Sequence, residues 1–193
     1  MSPVVTRLRE WVAGEGEPLA SKLRAGENGP GLGALLEEGP RTTDKATEYS
    51  LVVEAIREGY LCHYGDPRII TGADADLLLL AGDLFYAFGI HRLAALEDLE
   101  SVGTLSDLIR IAADLHARGD ADAAERLWAV QIMALACGSG PDHEARLTAL
   151  EAGEDGALEG LEQWSRKIAE DEGFGRALSR TREAIDFRPF QGN

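Results

Sequence analysis

Two cysteines, Cys62 and Cys137, are the only thiols in 193 residues. They lack CxxC spacing, so neither a disulfide framework nor a thiolate metal site is expected. Both lie in apolar stretches, which fits buried thiols in a reducing compartment. Basic residues are scarce: 19 Lys and Arg stand against 34 Asp and Glu, a net charge of −15. Phosphate binding needs clustered cations, so nucleic acid and anionic membrane surfaces suit this chain poorly. Strand signals are missing as well. No segment sustains apolar–polar alternation, and no hairpin dipeptide separates two apolar runs. No internal repeat or low-complexity tract occurs. HExxH and GxSxG are absent, and the glycine-rich stretch from Asn28 to Gly33 has neither a lysine nor a preceding strand. It reads as a linker rather than a phosphate loop.

What remains is helical periodicity almost throughout. A chain of this length carries one domain with a real core. Ser2 followed by Pro3 opens a first helix with Val5, Leu8, Trp11 and Val12 as its stripe. This start has no long apolar run leading to a cleavage site and does not read as a signal peptide. Residues 1–40 then read as short helices and loops, a candidate docking arm. Residues 41–186 read as a helical bundle, and 187–193 as an irregular tail. From about residue 44 the stripes are regular: Tyr49, Val52, Val53, Ile56 and Tyr60 on one helix, then Leu105, Leu108, Ala112 and Leu115 on another. Gly65-Asp66-Pro67 and Gly119-Asp120 are stop signals. The fold class is all-α, with about seven to nine helices joined by short loops.

The segment Ala75–Leu96 is nearly continuous apolar sequence with one acid, Asp83, in its middle. A helix that is apolar all round has no solvent face, so a buried central helix over about 75–97 is expected. Its length would suit a membrane, but Asp83, His91 and Arg92 interrupt it. A central Asp or Arg costs about 2.5–3.5 kcal/mol on insertion scales. A lone interior carboxylate needs a partner or a purpose. Gly82 and Gly89 share one face of this helix and predict a close approach of a neighbour.

The unit from Glu54 to Asp83 has a distinctive order: a helix ending in a histidine corner, a short loop, then an apolar helix bearing Ala-Gly-Asp. It resembles the trans-polyprenyl diphosphate synthases. In that family one helix of the form VE-I--ASL-HDD leads into an aspartate-rich motif, and a later helix reads LL-GD-LLA. Val53, Glu54, Ile56, Leu61 and His63 match the first. Leu79, Leu80, Gly82, Asp83, Leu84 and Ala87 match the second. The likeness spans roughly residues 45–118. The LAGD sequence followed by an aromatic is most similar to the small, non-catalytic component of two-component heptaprenyl diphosphate synthases.

The departures carry physical meaning. Prenyl transfer in that family uses Mg²⁺ held by two DDxxD motifs, which place hard carboxylate oxygens one helical turn apart. This chain has His63-Tyr64-Gly65-Asp66-Pro67-Arg68 where the first should lie, and no DDxxD anywhere. Asp120 and Asp122 read as a cap and first-turn acid. Arg68 is the only base in the loop between the matched helices. The resemblance therefore implies a reduced, isoprenoid-synthase-like subunit without metal, cofactor or catalytic residues of its own.

The candidate pocket or interface residues are Asp83, His63, Tyr60, Asp66 and Arg68, together with Phe187 and Phe190 in the tail. His63 with Tyr60, Tyr64 and Asp66 forms the best polar cluster. Around Pro189, the two phenylalanines and Arg188 form a docking-type segment, since aromatics and Arg are enriched at interfaces; folding back onto the bundle is the alternative. The functional expectation is a non-catalytic subunit of a polyprenyl diphosphate synthase. Its partner would be a catalytic chain, with no nucleic acid and no membrane span, in a hetero- or homo-oligomer in the cytoplasm. The alternatives are an accessory subunit of another complex, or a stand-alone enzyme or apolar-ligand binder using a cavity near Asp83.

Overall fold

The computed structural model describes residues 2–25 and 29–186. Among them are nine α-helices and no strand beyond one isolated bridge, Leu23 to Ile70. They are α1 (Pro3–Gly14), α2 (Ala34–Glu38), α3 (Ala46–Tyr64), α4 (Ala75–Ala94), α5 (Leu99–Ala117), α6 (Ala121–Cys137), α7 (Pro141–Glu151), α8 (Ala157–Asp171) and α9 (Gly175–Asp186). The all-α bundle expected from periodicity is what the chain forms.

The axis of the bundle is α3. Every residue from Tyr49 to Cys62 is buried, so this helix has no solvent side over that stretch. It lies between two apolar clusters. Val52, Val53, Ile56 and Tyr60 belong to the larger one, with residues of α2 and α5–α9. Leu51, Ala55 and Cys62 belong to the smaller one, with Val5, Leu8 and Val12 of α1, Ile69, Ile70, and Ala81 and Phe85 of α4. Helix α6 is the second interior element, with an unbroken buried run from Leu127 to Ala136.

Helix α4 forms where the apolar run predicts it, capped by Asp74, whose carboxylate accepts from the Leu77 N–H at 2.9 Å. Its position differs from expectation. Only Ala81, Gly82, Phe85, Gly89 and Leu93 are buried, while Leu79 is 51% and Leu80 66% exposed. The central buried helix is α3, and α4 lies against its outside. A helix with apolar residues on every side has no polar stripe to mark its outer face, so its composition cannot say which side turns inward. The neighbours decide, and α1 and α3 cover only one side. Gly82 and Gly89 do lie at the contact with α3. A Cβ on Gly82 would meet His63 Nε2 at 2.6 Å, and one on Gly89 would meet Ile56 Cγ1 at 2.8 Å.

The described residues of 2–40 form short helices and loops that pack into the bundle. Val5, Leu8, Val12, Leu32, Leu35 and Leu36 are fully buried. Phe187, Phe190 and the rest of the tail lie outside the described residues.

Candidate functional site

Three residues near the end of α3, Tyr60, His63 and Tyr64, share one side of the helix by their spacing of three and four. They meet α4, α5 and α6 at one corner. The Tyr60 hydroxyl lies 2.8 Å from His116 Nε2 on α5. The Tyr64 ring stacks on His116 at 4.2 Å and 6°. His63 stacks on Tyr86 of α4 at 5.3 Å and 19°, and its Nε2 lies 3.3 Å from Asp83 Oδ1. Behind them, Tyr60 packs edge-on against Trp128, and the Arg57 guanidinium lies 4.9 Å from both ring centroids. Gly82 makes the corner possible, because any side chain there would occupy the place of His63.

The electrostatics grade from wet to dry. The Asp83 side chain is 74% exposed, so it is a solvated carboxylate on the outward side of α4 and not the buried acid expected. His63 is partly covered, and Tyr64 is 41% exposed. Further in, burial pulls the His116 imidazole below its ordinary value, against the opposing charge of Glu125. Burial also pushes the Tyr86 phenol up. These two groups therefore stay neutral at pH 7.

The other expected residues separate into two groups. Asp66 lies on the loop after α3 and takes Arg24 Nη2 at 3.1 Å, which also donates to the Pro67 carbonyl. Arg68 turns into the interior. It is 1% exposed, donating Nη2 to Glu54 Oε2 at 2.6 Å and Nε to Glu58 Oε1 at 2.5 Å. Its own backbone N–H reaches Glu58 Oε2 at 3.0 Å, and Glu54 Oε1 accepts from Leu32 N. Burial alone would lower the guanidinium, but the two carboxylates outweigh it and hold its pKa above the usual value. Arg68, expected at a pocket or an interface, is thus a clamp between the loop and α3. Sequence reasoning missed Glu58 and the pairing of both carboxylates with Arg68. The available signal was Glu54 and Glu58, one turn apart beside Arg57 in a largely apolar helix. His116 and Tyr86 carried no sequence signal, since only tertiary packing brings them in.

The chemistry open to the corner is modest. His63 stands between the solvated Asp83 carboxylate and the exposed Tyr64, and among the described residues no hydrogen bond orients its ring. The nearest thiol, Cys62, is buried in the smaller apolar cluster, and burial pushes its pKa up, so it is no nucleophile. Among the described residues no three His, Cys, Asp or Glu side chains converge on a common metal position. The donors present therefore do not match the Mg²⁺ cluster that the family resemblance would bring. Four clefts among the described residues also lie elsewhere. One of about 690 Å³ opens between α1, α2, α3 and α9, with Arg7, Ser50, Glu54 and Arg180 among its walls. Neither it nor the three next clefts is lined by Asp83, His63 or Tyr60.

Comparison of the chain with protein-family models, with curated proteins and with solved structures returned no match.

Proposed function

We propose that this chain is a non-catalytic α-helical subunit of a multiprotein complex, and specifically the small subunit of a polyprenyl diphosphate synthase whose catalytic chain brings the DDxxD motifs. The observation that carries the reading is α4. This is the one helix among the described residues long and apolar enough to cross a membrane, and only five of its twenty residues are buried. Leu79 and Leu80 together present an apolar surface to solvent, and with charged Asp83 and Arg92 interrupting the run such a surface marks a protein contact.

The specific version has its support in the corner. The two stretches that resemble the synthases lie side by side as α3 and α4, with His63 seated against Gly82 and Asp83. Where the first DDxxD motif of a catalytic relative would lie, the chain reads His63-Tyr64-Gly65-Asp66-Pro67-Arg68, and the one acid there, Asp66, is bound by Arg24. Such a subunit acts structurally. It braces the catalytic chain and helps fix the depth of its apolar product tunnel. The free thiols Cys62 and Cys137 suit the cytoplasm, where that partner works.

Co-expression tests it directly. The chain is purified alone, and again with the DDxxD-bearing synthase of the same genome, and both are given an allylic diphosphate, isopentenyl diphosphate and Mg²⁺. Long-chain product from the pair and none from this chain is the expected result. Turnover by this chain alone would remove the non-catalytic reading. Co-purification with an unrelated assembly and not the synthase would leave the broader accessory-subunit reading in its place.

A further inference from the structure

The outer side of α4 carries its exposed residues at helical spacing: Asp76, Leu79, Leu80, Asp83, Ala87 and His91. The two leucines form the apolar centre of this ridge, and an aspartate stands one turn away on either side. On its inward side α4 is anchored by Phe85, buried against Trp11, and by Gly89, which lies on Ile56.

We infer that this ridge is the docking surface for a single helix of the catalytic partner, one with an apolar stripe to cover Leu79 and Leu80 and with Lys or Arg placed to meet Asp76 and Asp83. The inference rests on the subunit reading above and adds to it the face used and the chemistry of its occupant.

Charge disfavours the simplest competitor, a second copy of this chain. An antiparallel pairing centred between Leu79 and Leu80 sets Asp76 of each copy opposite Asp83 of the other, so like charges meet at both ends. A parallel pairing sets each aspartate beside its own image. Like charges facing across an interface oppose association, and each copy brings a net −15 besides. The same two aspartates favour a helix with basic flanks, and the acidic surface speeds the encounter. Both leucines are solvent-exposed, so replacing them tests the contact without cutting into the core.

The test measures binding of the whole chain to the DDxxD-bearing synthase of the same genome. Wild type, L79S/L80S and D76K/D83K are compared, with melting curves showing that each is folded. The expected result is a wild-type complex, with affinity falling at least about tenfold in each variant while the melting temperature holds. Wild-type affinity in both variants would overturn the docking face and leave the subunit reading standing. No complex from wild type would remove the subunit reading and this inference together. Sedimentation of the chain alone supplies the remaining outcomes. Self-association lost in L79S/L80S would assign the ridge to a second copy, and co-sedimentation with phosphatidylcholine vesicles lost in L79S/L80S would assign it to a membrane. Either would overturn the proposal.

Discussion

Arg68 and Glu54 lie fourteen positions apart and meet at 2.6 Å in the interior, where neither is more than 1% exposed. Glu58 completes the set from one turn further along α3. One cation thus serves two carboxylates, and all three are out of water. Such a cluster adds little net stability over an apolar core, but breaking it leaves charge stranded.

Arg68→Met should therefore destabilise by on the order of 3–5 kcal/mol, since it strands two buried carboxylates. That is a large part of the 5 to 15 kcal/mol or so typical of a domain. Urea unfolding followed by circular dichroism reads the loss. The triple variant E54Q/E58Q/R68M removes all three charges and should recover part of it. A triple variant as weak as Arg68→Met would show that packing, and not stranded charge, explains the effect.

This cluster also marks where sequence reasoning reaches its limit. Glu54, Arg57 and Glu58 fall on one side of α3, a charged stripe of the kind that ordinarily faces water. In the fold that stripe is buried and answered by Arg68 from the loop and by Glu125 from α6. Conversely α4 reads as fully buried, because apolar residues occupy every side of it. Local signals were dependable: Pro3 opens α1, Asp120 caps α6 through the Ala123 N–H, and Gly65 to Pro67 ends α3. Even these slip by a few residues. Ser101 and Thr104, residue types that favour an N-cap, lie inside α5, which Asp98 caps, and α8 starts from Gly156, one residue past the acid Asp155. Chain-local chemistry fixes where helices begin and end. Which side of a featureless helix is covered depends on residues far away in sequence.

The histidines set a first pH step. His143 on α7 is 2% exposed and bonded to Gln131, and burial holds its imidazole below its ordinary value. His116 is lowered for the same reason. A lowered folded-state value means the unfolded chain takes up the proton first. Their contribution is thus complete above the ordinary value of 6.5 and is lost as pH falls through the folded values. The carboxylates give a second step further down. The hydrogen bond from Arg92 lowers Glu48, and that from Arg126 lowers Glu162, so their stability is present above the ordinary 4.5 and lost below it. Thermal melts across this range should show both steps. H116Q/H143Q should lose the upper step and keep the lower; an unchanged upper step would mean these rings are not its source.

Gly82→Ala and Gly89→Ala should both destabilise, in different degree. Alanine gains about 1 kcal/mol of helix propensity over glycine, which works against the effect. At Gly89 the new methyl would lie 2.8 Å from Ile56 Cγ1 and 3.4 Å from the Val52 carbonyl, and the core there cannot give way. A net loss of about 1–3 kcal/mol is expected from overpacking. At Gly82 the obstacle is the partly exposed His63 ring, which can swing outward and give up Asp83. Gly82→Ala should therefore cost less and should change the chemical shifts of the His63 ring. Equal costs at the two sites would contradict this account of the α3–α4 contact.

Asp98 ties three elements together and offers the sharpest local test. Its Oδ1 accepts the Ser101 N–H at 3.1 Å, capping α5, and receives Arg41 Nη2 at 3.0 Å. Its Oδ2 accepts the Tyr49 hydroxyl of α3 at 2.8 Å. Asp98→Ala removes a cap, typically about 1 kcal/mol, and leaves the Tyr49 hydroxyl without its acceptor, a further 1–3 kcal/mol or so. The two losses are coupled through one carboxylate. Tyr49→Phe in the Asp98→Ala background should then cost much less than in wild type, with a coupling of about 0.5–3 kcal/mol from the double-mutant cycle. Additive losses would mean that Tyr49 finds another acceptor and that Asp98 acts on α5 alone.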